Sequence, residues 1–471
     1  MPLVSVSDRH RDDLAERLPA AVFRDITPAY LEEPRGRYKG EGGLLLAPSS
    51  AAEVSTILRY ANAEKLAVVP YGGGTGLVGG QVAEGGTIPI ILSSERMTAI
   101  REVLPNENVM VVEAGAILQD IHTAAEAVDR LFPLSLAAKG SARIGGNLAT
   151  NAGGLNVLRY GNARRLCLGL EVVLPTGEVW HGLTRLRKDN TGYDLRDLMI
   201  GSEGTLGFIT AAALELFAQP AEQGTAFLVV ESPVAALQLL QLARDHVGEG
   251  VSAFEIIHRQ SFDFLSEALP QLRLPFTAHP EWSVLLDLGL GRGSDTTAAL
   301  EAIFLDATEA GLVRDGLIAR SEAQRSDFWA VRENIPAANR HIGAISSHDI
   351  SLPLGAIPEF IERAGPALAK IATYRINCFG HVGDGNLHYN VFPVAGRSRA
   401  EHESERADIK RTVHDITHAL GGSVSAEHGI GRLKVEDLER YADPTKLLAM
   451  RAIKSALDPD GIMNPGVILR T

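Results

Sequence analysis

Two histidines bracket an Asp-Gly pair in F-G-H-V-G-D-G-N-L-H-Y-N-V, residues 379–391. Asp-Gly between β-type residues signals a two-residue type I′ hairpin turn, whose central positions both need positive φ. Such a turn at Asp384-Gly385 sets His381 directly opposite His388, and directly opposed residues share a face with Cβ atoms roughly 5 Å apart. That spacing suits two imidazoles converging on one metal ion. It suits a turn with two surface histidines equally well, so a third ligand has to come from elsewhere. A second chemical stretch is S-A-E-H-G-I-G, residues 425–431. In an extended segment Glu427 and His428 point to opposite sides, so they are expected to divide labour rather than share a task.

The elements that must position these groups fall into two styles. The first part of the chain mixes short strands and helices. A helix is expected over 51–65, strands over 66–69, 88–92 and 109–113, a helix over 117–130, and a hairpin in E-V-V-L-P-T-G-E-V-W, residues 171–180. Three glycine clusters punctuate it: P-Y-G-G-G-T-G-L-V-G-G (70–80), G-S-A-R-I-G-G-N-L-A-T-N-A-G-G-L (140–155) and L-M-I-G-S-E-G-T-L-G-F-I-T (198–210). Bare backbone N–H groups in such loops can approach phosphate oxygens closely. The first cluster is not a P-loop, because no Gly-Lys-Ser/Thr follows, and a strand rather than a helix comes next, which disfavours a dinucleotide-binding βαβ unit. Beyond about residue 218 the pattern changes to strands (227–230, 283–288) and helices (233–246, 296–310, 356–370), as in an antiparallel sheet with helices on one face. The segment 400–456 reads as mostly helical. The class is therefore α+β, with domains expected at 1–217, 218–420 and 421–471.

Composition excludes several functions. The 471 residues carry a net charge of −13, which argues against a nucleic-acid partner. Two cysteines, Cys167 and Cys378, make neither a disulfide framework nor a thiolate metal site. No run of 18 apolar residues marks an integral membrane segment, and the first residues, M-P-L-V-S-V-S-D-R-H, do not read as a signal peptide. A cytoplasmic protein is expected, with peripheral membrane contact left open and a homodimer as the default assembly.

The three glycine clusters, with G-H-V-G-D-G-N-L-H, S-A-E-H-G-I-G and D-P-D-G-I-M-N-P-G, closely resemble the D-2-hydroxyacid dehydrogenase branch of the vanillyl-alcohol-oxidase and p-cresol-methylhydroxylase flavoprotein superfamily. The resemblance runs from about residue 40 to the C-terminus. It implies a two-part α+β FAD-binding domain, a substrate domain with an antiparallel sheet covered by helices, and a helical C-terminal region returning to the flavin. By the same resemblance Pro70, Gly72, Gly73, Gly74, Thr75 and Gly76 line the pyrophosphate, with Leu77 near the flavin. Gly145, Gly146, Asn147, Thr150, Asn151 and Gly153 bracket the isoalloxazine and ribityl chain, Gly204 and Ile209 border the adenine end, and Asn464 reaches the flavin. Relatives that attach flavin covalently often do so through a histidine in the first cluster; Gly74-Thr75-Gly76 has none, so FAD is expected to be non-covalent.

The resemblance also makes His381, His388 and Glu427 metal ligands, His428 the catalytic base and Arg332 the binder of the substrate carboxylate; Asn386, read as lying inside the turn, is in place to hydrogen-bond the substrate, though an Asn beside Gly is also an ordinary turn residue. Two imidazoles and a carboxylate suit Zn²⁺, and Mn²⁺ or Fe²⁺ accept the same ligands. The implied reaction is oxidation of a D-2-hydroxy acid of the D-2-hydroxyglutarate or D-lactate type, with hydride to flavin N5. Electrons then pass to an acceptor other than NAD, such as an electron-transfer flavoprotein, a quinone or a cytochrome. Two departures bear on the substrate: Ser347 stands where many relatives carry lysine, and Pro336 where 2-hydroxyglutarate-type members often carry threonine. A glycolate dehydrogenase flavin subunit and, from a different class, a metallohydrolase are the rival readings.

Overall fold

The computed structural model describes residues 2–470, which form two compact units: 2–154 with 160–219 and 427–470, and 155–159 with 220–426. The first unit is thus assembled from three stretches of chain.

Its four-stranded sheet has the strand order Phe23–Arg24, Leu44–Leu46, Ile90–Ser93, Val68–Tyr71, and the last two pairings are parallel. The helix Ala51–Glu64 begins where the Ser50 hydroxyl accepts the Glu53 N–H at 3.2 Å and ends at Lys65 in the left-handed region. It buries Val54, Ile57, Leu58 and Ala61, the i, i+3, i+4, i+7 stripe of an amphipathic helix. The strand Val68–Tyr71 then delivers the chain directly into the 72–76 glycine loop. A second sheet of five strands carries Cys167–Val173 and Phe208–Glu215 at its middle, both buried along their whole length. Coverage on both faces explains why neither strand alternates apolar and polar residues. The expected hairpin is present: Val173 pairs with Val179, and Gly177 turns the chain at φ +90°.

The second unit is built on a seven-stranded sheet in the order Val313–Ile318, Glu222–Val230, Trp282–Leu290, Val251–His258, Arg375–Gly380, Asn386–Phe392, Ser346–Ser351. Each neighbouring pair is antiparallel. Helices cover both faces rather than one. Successive residues of the strand Trp282–Leu290 show this: Val284 and Leu286 pack with Pro233–Val247 and Thr296–Glu309, whereas Leu285 packs with Arg259–Ala268 and Glu322–Ile342. Central strands buried on both sides read as continuous apolar runs, so the number of covered faces is not visible in the pattern.

The histidine hairpin differs from expectation. Asp384 does not have positive φ; Val382–Asp384 forms a 3₁₀ turn and only Gly385 is left-handed, at φ +90°. The loop is therefore longer than two residues, and His388 pairs with Phe379 instead of His381. The register has moved by two positions. His381 lies just past the strand Arg375–Gly380, and its ring still faces that of His388 at 5.5 Å between centres.

Candidate active site

In the first unit the glycine clusters converge on one cleft. Pro70, Gly72, Gly73, Gly74, Thr75 and Gly76 line one part of it; Gly145, Gly146, Asn147 and Thr150 line another; Gly204, Ile209 and Asn464 complete the set carried over from the resemblance. Leu77, Asn151 and Gly153 do not line it. Asn151 serves the backbone instead, at φ +50° with its side-chain oxygen accepting the Arg164 N–H at 2.9 Å. Glycine is required where backbones meet: a Cβ on Gly73 would lie 2.2 Å from the Ser141 carbonyl oxygen.

The cleft suits a polar, phosphate-bearing cofactor such as FAD on two grounds. Glycine-rich loops line it, where a backbone can approach phosphate oxygens closely, and three buried polar atoms of lining residues, Ser94 Oγ, Asn147 Oδ1 and Asn464 Oδ1, have no hydrogen-bond partner in the protein. Each such orphan costs about 1–3 kcal/mol unless a ligand satisfies it.

His428 lines this cleft as well. Its loop is held by a residue that sequence reasoning missed. Glu203, buried and at φ +50°, accepts the N–H groups of Ile430 at 2.7 Å and Gly431 at 2.8 Å, and the Asn464 amide donates to its carbonyl at 2.8 Å. Burial pushes the Glu203 carboxyl up to about 7, against the opposing pull of those two N–H groups and of Lys434. The available signal was a lone acid inside the third glycine cluster. Glu427, the neighbour of His428, accepts the Gly154 N–H at 2.7 Å.

The second unit holds a separate polar cluster. The His381 and His388 rings stand 5.5 Å apart and edge-on. His381 Nδ1 lies 2.5 Å from Glu255 Oε1, and Arg332 Nε donates to Glu255 Oε2 at 2.6 Å. Burial alone would raise the Glu255 carboxyl, but His381 and Arg332 outweigh it and hold the group down to about 2. Glu255 was also missed, although a single acid in V-S-A-F-E-I-I-H breaks an otherwise apolar strand. Asn386 opens its strand rather than sitting in the turn, and its amide nitrogen donates to Asp349 Oδ1 and the Ile350 carbonyl, both at 2.9 Å. An arginine and two imidazoles thus belong to this unit, while the glycine-lined cleft and His428 belong to the other.

Comparisons with known proteins fit both halves. Residues 43–182 match the FAD binding domain, and residues 219–468 match the C-terminal domain of FAD linked oxidases. The chain is 40% identical over 435 residues to the "Probable D-2-hydroxyglutarate dehydrogenase, mitochondrial" of Oryza sativa subsp. japonica, covering 92% of this chain and 76% of that protein. It is 39% identical to the Bos taurus "D-2-hydroxyglutarate dehydrogenase, mitochondrial", covering 100% and 85%. The solved structure of p-cresol methylhydroxylase superposes with a TM-score of 0.77 at 16% identity, covering 100% of this chain and 99% of that one, a likeness of fold. This chain therefore belongs to the FAD-linked oxidase family. Within it the chain is an FAD-dependent D-2-hydroxyacid dehydrogenase.

The expected cytoplasmic location does not stand, because the rice and bovine relatives are named mitochondrial enzymes. Among the described residues no helix is long and apolar enough to cross a membrane. That property separates spanning from non-spanning helices and says nothing about which aqueous compartment holds a protein.

Proposed function

We propose that this chain oxidises D-2-hydroxyglutarate to the 2-oxo acid, using non-covalent FAD and a divalent cation. The observation that carries the reading is His428, a general base in type, among the residues that line the flavin cleft. The names of the rice and bovine relatives favour the five-carbon diacid over D-lactate or glycolate.

Arg332 binds and orients the substrate's 1-carboxylate with its two terminal nitrogens, since its Nε is engaged by Glu255. The His428 imidazole takes the proton from the 2-hydroxyl, the role of a general base. FAD, when bound, supplies the acceptor for the hydride that leaves the substrate's Cα. His381, His388 and Glu427 are the ligands we assign to the cation, preferably Zn²⁺, whose positive charge would lower the cost of deprotonating the hydroxyl. Chain connectivity supports including Glu427. Asp349, the cross-strand partner of His388, accepts the N–H of Ala426 at 3.2 Å, and Glu427 is the next residue. Non-covalent attachment is supported by the first glycine loop, which contains no histidine. The final electron acceptor we assign is one other than NAD.

The test is anaerobic bleaching of the purified yellow protein with D-2-hydroxyglutarate, D-lactate, glycolate and the L-isomers, before and after His428→Ala. D-2-hydroxyglutarate should bleach fastest, and the variant should stay yellow while bleaching roughly 10²–10⁴-fold more slowly. Bleaching by L-isomers alone, or an unchanged rate in the variant, overturns the reading.

A further inference from the structure

Glu255 joins two groups to which the reaction gives different tasks. One carboxylate oxygen meets Nδ1 of His381 at 2.5 Å and the other meets Nε of Arg332 at 2.6 Å. The contacts continue into a closed circuit. Arg332 lies over the Phe379 ring at 4.9 Å, Phe379 packs on His388 at 5.0 Å between ring centres, and His388 faces His381 at 5.5 Å. Glu255 is wholly buried, at 0% exposure.

Stability does not explain this arrangement. Desolvating an ion costs several kcal/mol, and apolar residues of similar volume in place of a buried ion pair are often neutral or stabilising. The geometry has a different consequence. A carboxylate that accepts from Arg332 Nε also accepts from His381 Nδ1, which makes Nε2 the ring nitrogen that would face a cation. The same carboxylate occupies the Nε edge of Arg332 and Phe379 covers one guanidinium face, so the two terminal nitrogens are left to meet a substrate carboxylate.

We propose that Glu255 is a positioning residue that sets the distance between the carboxylate-binding end and the hydroxyl-binding end of the site. It fixes the His381 tautomer and the Arg332 orientation through one rigid anion. A 2-hydroxy acid has its carboxylate and hydroxyl on adjacent carbons, so the two recognition groups must be held in one relation to accept it. The inference rests on the roles proposed above for His381 and Arg332.

The experiment compares FAD-loaded wild type with Glu255→Gln and Glu255→Asp. Zn²⁺ affinity is measured by competition with a fluorescent chelator, and KM and kcat are measured with D-2-hydroxyglutarate. Glutamine cannot accept from both partners without turning its own NH₂ toward one of them, and aspartate is one methylene too short to reach both. Both variants should keep the flavin absorbance, lose Zn²⁺ affinity by roughly 10–100-fold, and show a KM increase larger than the fall in kcat. Unchanged Zn²⁺ affinity and KM in a folded variant overturn the proposal. So does failure of both variants to fold, which would make Glu255 a determinant of the fold. Failure of the metal reading is recognised separately: wild type would then bind no Zn²⁺ and keep its bleaching rate in chelator. The KM comparison would still decide the role of Glu255 through Arg332.

Discussion

At the scale of single residues, the buried carboxylates at 203 and 255 have environments that drive them in opposite directions. Glu255 has two cationic or protonated partners and stays ionised. Glu203 has two backbone N–H groups and Lys434 against the full cost of burial, so its carboxyl rises to about 7. A carboxyl raised from about 4.3 in the unfolded chain binds its proton more tightly when folded. Stability therefore falls as pH rises from about 4.3 to about 7, and levels off above. Glu203→Gln is neutral throughout and escapes this loss. The melting temperature of the FAD-loaded variant should gain on wild type across that window, by a difference on the order of 3 kcal/mol for the full shift. A constant difference between the two melting curves at every pH would show that Glu203 titrates normally.

At the scale of elements, the histidine ribbon depends on one glycine. Gly385 is at φ +90°, and a Cβ there would lie 2.4 Å from the Leu352 carbonyl oxygen. The Leu352 N–H in turn bonds to the Gly385 carbonyl at 3.0 Å. Gly385→Ala is expected to destabilise the protein by more than about 1 kcal/mol, since both the backbone conformation and the close approach oppose a side chain. Denaturant unfolding of the variant checks this, and a midpoint equal to wild type would refute it. The Asp-Gly signal correctly located a turn. It did not specify the turn type, because the three hydrogen bonds from Asp384, Gly385 and Asn386 to the His381 and Val382 carbonyls favour a tighter helical turn over the two-residue one.

At the scale of the molecule, the returning C-terminal stretch is part of the first unit's core. Ile462 and Met463 are fully buried with Leu66, Val68 and Ile90, and the Asn464 N–H bonds to the Val68 carbonyl at 2.8 Å. The Asn464 amide also donates to the Gly80 carbonyl at 2.9 Å, beside the flavin cleft. Truncation after Ala426 removes these groups and His428 together. The shortened chain should purify colourless, and a yellow product with a flavin absorbance equal to the full chain would contradict this account.

What the sequence determined by itself was the local chemistry. Glycine spacing marks where a backbone must approach a cofactor, helical and strand periodicities mark most elements, and residue types name a base, an arginine and paired imidazoles. These are properties of near neighbours along the chain, and thirteen of the sixteen residues assigned to the cofactor do line the cleft. Only the tertiary structure decided the hairpin register, the covering of both sheet faces, and the partners of Glu203 and Glu255. Those partners are 227 and 228 residues away for Glu203, and 77 and 126 away for Glu255. A buried carboxylate takes its charge state and its role from whatever the fold brings within about 3 Å of it, and chain spacing carries no record of that.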